Sequence, residues 1–198
     1  MFDAIPEVLA LHEVKRVMLI GGERALAAAA PGIKASLAGT DVEILGRHVY
    51  GKNSTRENIA KIVNSPLAQS ADALFAIGGG KAIDTVKTAN IELNKKVFSV
   101  PTICSNCSAG TAIAVVYNAD GSLEGYSYPH CPDHIFINPA IIAALPRSTS
   151  GLVSVTRFQS NPRWSMPPVP GTWSIPLLWA WLWRIRVLSR FLPMASRV

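Results

Sequence analysis

Short apolar runs without polar alternation recur along the first 146 residues, and stretches with helical spacing separate them. Arg16–Ile20 reads as a basic residue leading into a buried strand, which Gly21-Gly22 breaks. Glu23–Ala30 is rich in helix formers and Pro31-Gly32 punctuates it. Val42–Leu45 is a second strand. Ser54-Thr55-Arg56-Glu57 fits a capping box, and Ile59, Ile62 and Val63 give the following helix an apolar face. Ala73–Ile77 is a third strand ending in Gly78-Gly79-Gly80, Lys81–Leu93 a helix, and Val97–Val100 a fourth strand closed by Pro101. Strands that are apolar on both faces and joined by helices predict a parallel sheet covered on both sides, an α/β fold.

After Pro101 the pattern changes. Thr111–Tyr117 and Tyr126–Tyr128 flank Asn118-Ala119-Asp120-Gly121, where Asp-Gly signals a hairpin. His134–Asn138 reads as another short strand, and Pro139 opens a helix through Leu145. No internal repeat or low-complexity tract interrupts this order.

Composition divides the chain in two. Of 198 residues, 49% are apolar and 16% charged, which excludes a disordered chain and supplies a core. The net charge of +6 suggests an anionic partner until its distribution is considered. From Arg147 to Val198 there are seven arginines and no Asp, Glu or Lys, so the first 146 residues carry a net charge of −1. The same stretch holds all five tryptophans and six of the fourteen prolines. We therefore expect a domain over 1–146 and a separate tail over 147–198 that is disordered or non-native.

Three cysteines are too few for a disulfide framework. The start, MFDAIPEVLALHEVKR, lacks the basic and apolar regions of a secretory signal. The longest apolar run, Ile175–Trp183, contains Pro176 and falls well short of the roughly 20 residues of a spanning helix. These features predict a cytoplasmic protein with no membrane or nucleic-acid partner.

The strongest chemical signal is Gly78-Gly79-Gly80-Lys81 between a buried strand and a helix. Such glycines let the backbone approach a ligand and aim free N–H groups at an anion, most naturally a phosphate. The same residues also serve a plain tight turn, and they match neither common nucleotide fingerprint. Glu23, just past the first strand, could hold a ribose diol or simply complement a helix dipole. Cys104-Ser105-Asn106-Cys107 spells C-x-x-C, but a zinc site needs a second ligand pair, so two small residues in a loop is the simpler reading.

In this order the pieces resemble the metal-dependent (iron-containing) alcohol dehydrogenases, near the glycerol dehydrogenase branch, which share their fold with dehydroquinate synthase. The matching blocks are Leu19-Ile20-Gly21-Gly22-Glu23-Arg24-Ala25-Leu26, Gly78–Lys87, and Val100-Pro101-Thr102-Ile103-Cys104-Ser105 through Thr111 and Ile113 to Tyr117. The resemblance spans about residues 8–146 and implies the Rossmann-like N-terminal domain of that fold, without the family's usual first strand. It implies that Gly79, Gly80 and Lys81 cradle the pyrophosphate of NAD, with Asp84 supporting the turn. Thr102, Ser105, Thr111, Ile113 and Tyr117 would line the adenine and nicotinamide positions. Glu23 falls where the family keeps a ribose-binding acid. Cys107 takes the place of a substrate-contacting Asp, a departure that counts against glycerol itself.

The family's divalent metal (Zn or Fe) is held by an Asp in a G-I-G-D-T-L segment and two later histidines of a helical second domain. No histidine follows His134, and that segment is absent as written. Codons permissible for Pro146–Phe158 nevertheless spell E-K-Y-L-W-A-G-I-G-D-T-L when read one base out of register. We expect that one base is lost near Pro146, that the tail is out-of-frame translation, and that the chain binds no metal and turns over no substrate. The ancestral activity implied is NAD-dependent oxidation of a small polyol, alcohol or hydroxy acid, commonly in a homo-oligomer. The metal would act as Lewis acid while hydride passes to nicotinamide. Two rival readings are a nucleotide-binding regulatory protein with a basic tail, and a cyclase fragment of the dehydroquinate synthase type.

Overall fold

The alternation of faces along each strand decides where the helices pack. The computed structural model describes residues 2–104 and 106–144. In chain order these residues form α1 (Ile5–Leu11), β1 (Arg16–Gly21), α2 (Glu23–Ser36), β2 (Glu43–Val49), α3 (Arg56–Val63), α4 (Pro66–Ser70) and β3 (Ala73–Gly78). There follow α5 (Gly80–Leu93), β4 (Lys96–Pro101), a 3-10 turn at Ser108–Gly110, β5 (Ala114–Tyr117), β6 (Leu123–Ser127), β7 (His134–Ile135) and α6 (Pro139–Ala143). Five strands form one parallel sheet in the order β2-β1-β3-β4-β7, and β5 and β6 pair antiparallel beside it.

Period two sends Val17 and Leu19 of β1, and Ala73, Phe75 and Ile77 of β3, to one face, where α1 and α2 cover them. Phe75, Phe98 and Phe136 fill this layer, with ring centroids 5.4–5.9 Å apart. Met18, Ile20, Leu74 and Ala76 face the other way, onto Ile59 and Ile62 of α3 and Ile83 and Val86 of α5. The parallel α/β sheet expected from the sequence is therefore what forms.

Several boundaries differ. Pro31-Gly32 does not end α2, which continues to Ser36 because Ala29, Ala30 and Ile33 are wholly buried against the sheet. That burial outweighs the hydrogen bond Pro31 cannot make. Gly32 marks a close approach, since a Cβ there would lie 2.9 Å from the Phe2 ring. β2 runs past Leu45 to Val49, because main-chain pairing with β1 continues under the polar side chains of an edge strand. β5 starts at Ala114, not Thr111, because the Thr111 and Ile113 carbonyls accept hydrogen bonds from the Lys87 ammonium. Its partner β6 spans Leu123–Ser127, earlier than the expected Tyr126–Tyr128. β7 is two residues long, and Ile137 is exposed beyond it. α1 and α4 were not foreseen; each is short, and each buries only one or two side chains. The expected boundary after residue 146 and the expected out-of-frame tail lie outside the described residues.

Candidate functional site

β1 is followed by a crossover to β2 on one side of it, whereas β3 lies on its other side and is followed by β4. The chain therefore changes direction between β1 and β3, the place where open parallel sheets hold ligands at their carboxyl ends. Both strands end there in glycine. A cleft of about 1040 Å³ opens over Gly22 and Glu23 from β1, Gly78–Ala82 from β3, and Val49–Lys52 at the end of β2. Thr102, Ile103, Asn106 and Tyr117 close the far side.

Each glycine has a separate reason. Gly78 has φ +148°, a conformation side chains rarely adopt. A Cβ on Gly79 would lie 2.5 Å from Ile103 Cδ1, and one on Gly80 would overlap the Asn106 amide. Gly79 is the N-cap of α5 in extended conformation, with no side chain to cap the helix. The first intrahelical bond is Ile83 N–H to the Gly79 carbonyl at 3.1 Å. The amides of the first turn thus have no intrahelical partner and open on the cleft, where helix polarity favours an anion. The Thr102 N–H donates to the Gly78 carbonyl at 3.0 Å and holds the end of β4 against this turn.

The residues singled out in the sequence divide into three groups. Glu23, Gly79, Gly80, Lys81, Thr102 and Tyr117 share the cleft. Lys81 leans across its mouth: its ammonium donates to Asn53 Oδ1 and stands 5.1 Å from the centroid of the Tyr117 ring. Asp84, Thr111, Ile113 and Cys107 are not among the cleft walls. Asp84 is buried on the inner side of α5, accepting from Ser108 Oγ and from the Val115 N–H at 3.2 Å. Ile113 is exposed, and Thr111 Oγ1 is shielded from solvent with no hydrogen-bond partner among the described residues. Cys107 is exposed, and its carbonyl accepts from the Gly110 N–H at 3.0 Å. Ser105 lies outside the described residues.

Cys104, Cys107 and Cys131 are free thiols, so C-x-x-C forms no disulfide. Among the described residues no group of three His, Cys, Asp or Glu side chains is placed to hold a metal ion, and they supply no step through one. No helix among them is long and apolar enough to cross a membrane.

Sequence reasoning missed Asn53, Asn106 and Tyr50. All three sit on connections whose positions depend on the sheet order, and the polar break Gly51-Lys52-Asn53 after β2 was the one local hint. Burial pushes the Tyr50 phenol above its ordinary range, so its hydroxyl stays a donor, 3.4 Å from the Lys52 carbonyl.

Comparison with known proteins gives a consistent picture. The family model described as iron-containing alcohol dehydrogenase matches residues 1–139. A glycolaldehyde reductase from Halobacterium salinarum is 31% identical over 99 residues, covering half of this chain and 27% of that protein. A glycerol dehydrogenase from Thermotoga maritima is 30% identical over 103 residues, 52% of this chain and 28% of that protein. The crystal structure of glycerol dehydrogenase from Schizosaccharomyces pombe superposes with a TM-score of 0.63 at 22% identity, over 74% of this chain and 38% of that one. An iron-containing alcohol dehydrogenase from Thermotoga maritima gives 0.66 at 17% identity, over 75% and 46%. This chain therefore spans less than half the length of these relatives.

Proposed function

The chain belongs to the iron-containing alcohol dehydrogenase family, and on that premise we propose that residues 1–146 are the nucleotide-binding half of an oxidoreductase. The whole enzyme would oxidise the CH–OH group of a small polyol, alcohol or hydroxy acid, with NAD as hydride acceptor. One observation carries the reading: the glycine turns that end β1 and β3 open on a single cleft at the point where the sheet reverses direction.

The residues present fit a dinucleotide. Gly79 and Gly80 keep the turn free of side chains, since a Cβ there would meet Ile103 or Asn106, and the backbone of the turn lines the cleft directly. The α5 amides would bind the pyrophosphate, and Lys81 would swing from Asn53 to add a charge-assisted hydrogen bond. Glu23, at the first turn of α2, would accept from the ribose hydroxyls and disfavour a 2′-phosphate. The cofactor supplies hydride acceptance at its nicotinamide ring. This chain's residues bind and orient it.

Titrating the full chain with NADH and following nicotinamide fluorescence tests the proposal. Saturable binding displaced by NAD is expected. No binding at millimolar NADH by a folded chain overturns it.

A further inference from the structure

Helix α5 contains a charged pair that no cleft wall uses. The Lys87 side chain is 0% exposed and that of Asp84 9% exposed, with 3.2 Å between Lys87 Nζ and Asp84 Oδ1. Burying two charges is costly unless each is fully hydrogen-bonded, and an apolar pair would pack the same space at less cost. The partners show what the charges do. Lys87 Nζ donates to three carbonyls of one short stretch: Ser108 at 2.9 Å, Thr111 at 3.1 Å and Ile113 at 2.6 Å. Asp84 accepts from two further groups of the same stretch, the Ser108 hydroxyl and the Val115 N–H. The pair therefore replaces ladder bonds for a segment too irregular to make its own.

Both ends of that segment reach the cleft. Asn106 packs on Gly80 at the phosphate cradle, and its Oδ1 accepts from the Ser108 N–H at 3.1 Å. Tyr117 flanks Lys81, and its N–H donates to the Ser54 carbonyl at 2.8 Å. We infer that Asp84 and Lys87 are positioning residues that fasten segment 106–117 to α5 as a fixed wall of the nucleotide cleft. The inference deepens the nucleotide reading and rests on it for the role of the wall, whereas the clamp itself is a property of the free protein.

The test uses the full chain with both charges removed (Asp84→Leu with Lys87→Met) and, in case that variant does not fold, Asp84→Asn, which keeps the shape. Amide hydrogen exchange is read by mass spectrometry, and NADH and ADP affinities by titration. Exchange over 106–117 should quicken at least tenfold while 16–21 and 73–78 stay protected. NADH should weaken at least tenfold and ADP less than threefold, because ADP keeps its hold on the cradle but has less to gain from the wall. Unchanged exchange at 106–117 overturns the clamp, as does equal loosening of all three segments or an unchanged NADH to ADP ratio. If the unaltered chain binds no dinucleotide, the nucleotide reading falls and the exchange pattern alone decides the clamp.

Discussion

Gly21 and Gly22 are adjacent in sequence and opposite in consequence, which makes them a matched pair of perturbations. An alanine Cβ at Gly21 would overlap the Ile77 carbonyl oxygen and lie 3.1 Å from the Ile77 carbonyl carbon and Cβ. Ile77 is the residue paired with Gly21 in the parallel β1–β3 ladder, so the obstacle is backbone that no rotamer change removes. At Gly22 the nearest atom to such a Cβ is Tyr50 Cε1 at 3.7 Å, an ordinary contact, and φ −76°, ψ 152° suits alanine. Forcing an extra methyl into a packed interior costs about 1–3 kcal/mol, and an unyielding backbone neighbour puts Gly21→Ala at the top of that range. Gly22→Ala should cost under about 1 kcal/mol, chiefly for an alanine at an N-cap. With a urea m-value of about 2 kcal/mol/M, the Gly21→Ala midpoint should fall by about 1–1.5 M and that of Gly22→Ala by less than about 0.5 M. Urea unfolding followed by far-ultraviolet circular dichroism measures both. Equal midpoints would refute the claim that β1 and β3 approach at Gly21 too closely for a side chain, and with it the account of why that turn begins with glycine.

Further outcomes follow from the same structure. Lys81→Met should weaken NADH about tenfold by removing a charge-assisted hydrogen bond, with unchanged unfolding because the side chain is exposed; a fluorescence titration reads it. Glu23→Ala should narrow the preference for NAD over NADP, and an unchanged ratio of the two affinities would remove its assigned role. Phe98→Ala should cost about 3–5 kcal/mol, because its fully buried ring meets both Phe75 and Phe136; thermal unfolding checks it. The Arg16 guanidinium beside Asp72, aided by the Arg16 and Lys15 amides, holds the Asp72 carboxyl below its ordinary range. A depressed carboxylate stabilises the fold above its unfolded pKa, and that contribution is lost as pH falls through the folded one. Asp72→Asn should therefore flatten the acid side of a stability–pH profile and leave the alkaline side parallel to the unaltered protein.

The sequence alone determined the parts governed by local periodicity and composition. Val17–Ile20, Ala73–Ile77 and Val97–Val100 read as buried strands because both faces are apolar, and the glycine turn before Lys81 marked a helix start open to an anion. Family membership was also legible, since the blocks around Gly21, Gly79 and Thr102 keep their order and spacing. Tertiary structure decided what depends on which residues meet. It carried α2 through Pro31, because burial of Ala30 and Ile33 exceeds the loss of one hydrogen bond. Asn53 and Lys81 came together because the connection after β2 and the start of α5 after β3 meet across the end of β1, which lies between those strands, something no spacing along the chain encodes. Asp84 and Lys87 belong to a motif that looks like part of a phosphate turn. Helical spacing instead carries them along the face of α5 that begins at Gly80, against the segment where Ser108 contacts both Gly80 and Asp84 and where the carbonyls of Ser108, Thr111 and Ile113 need a donor.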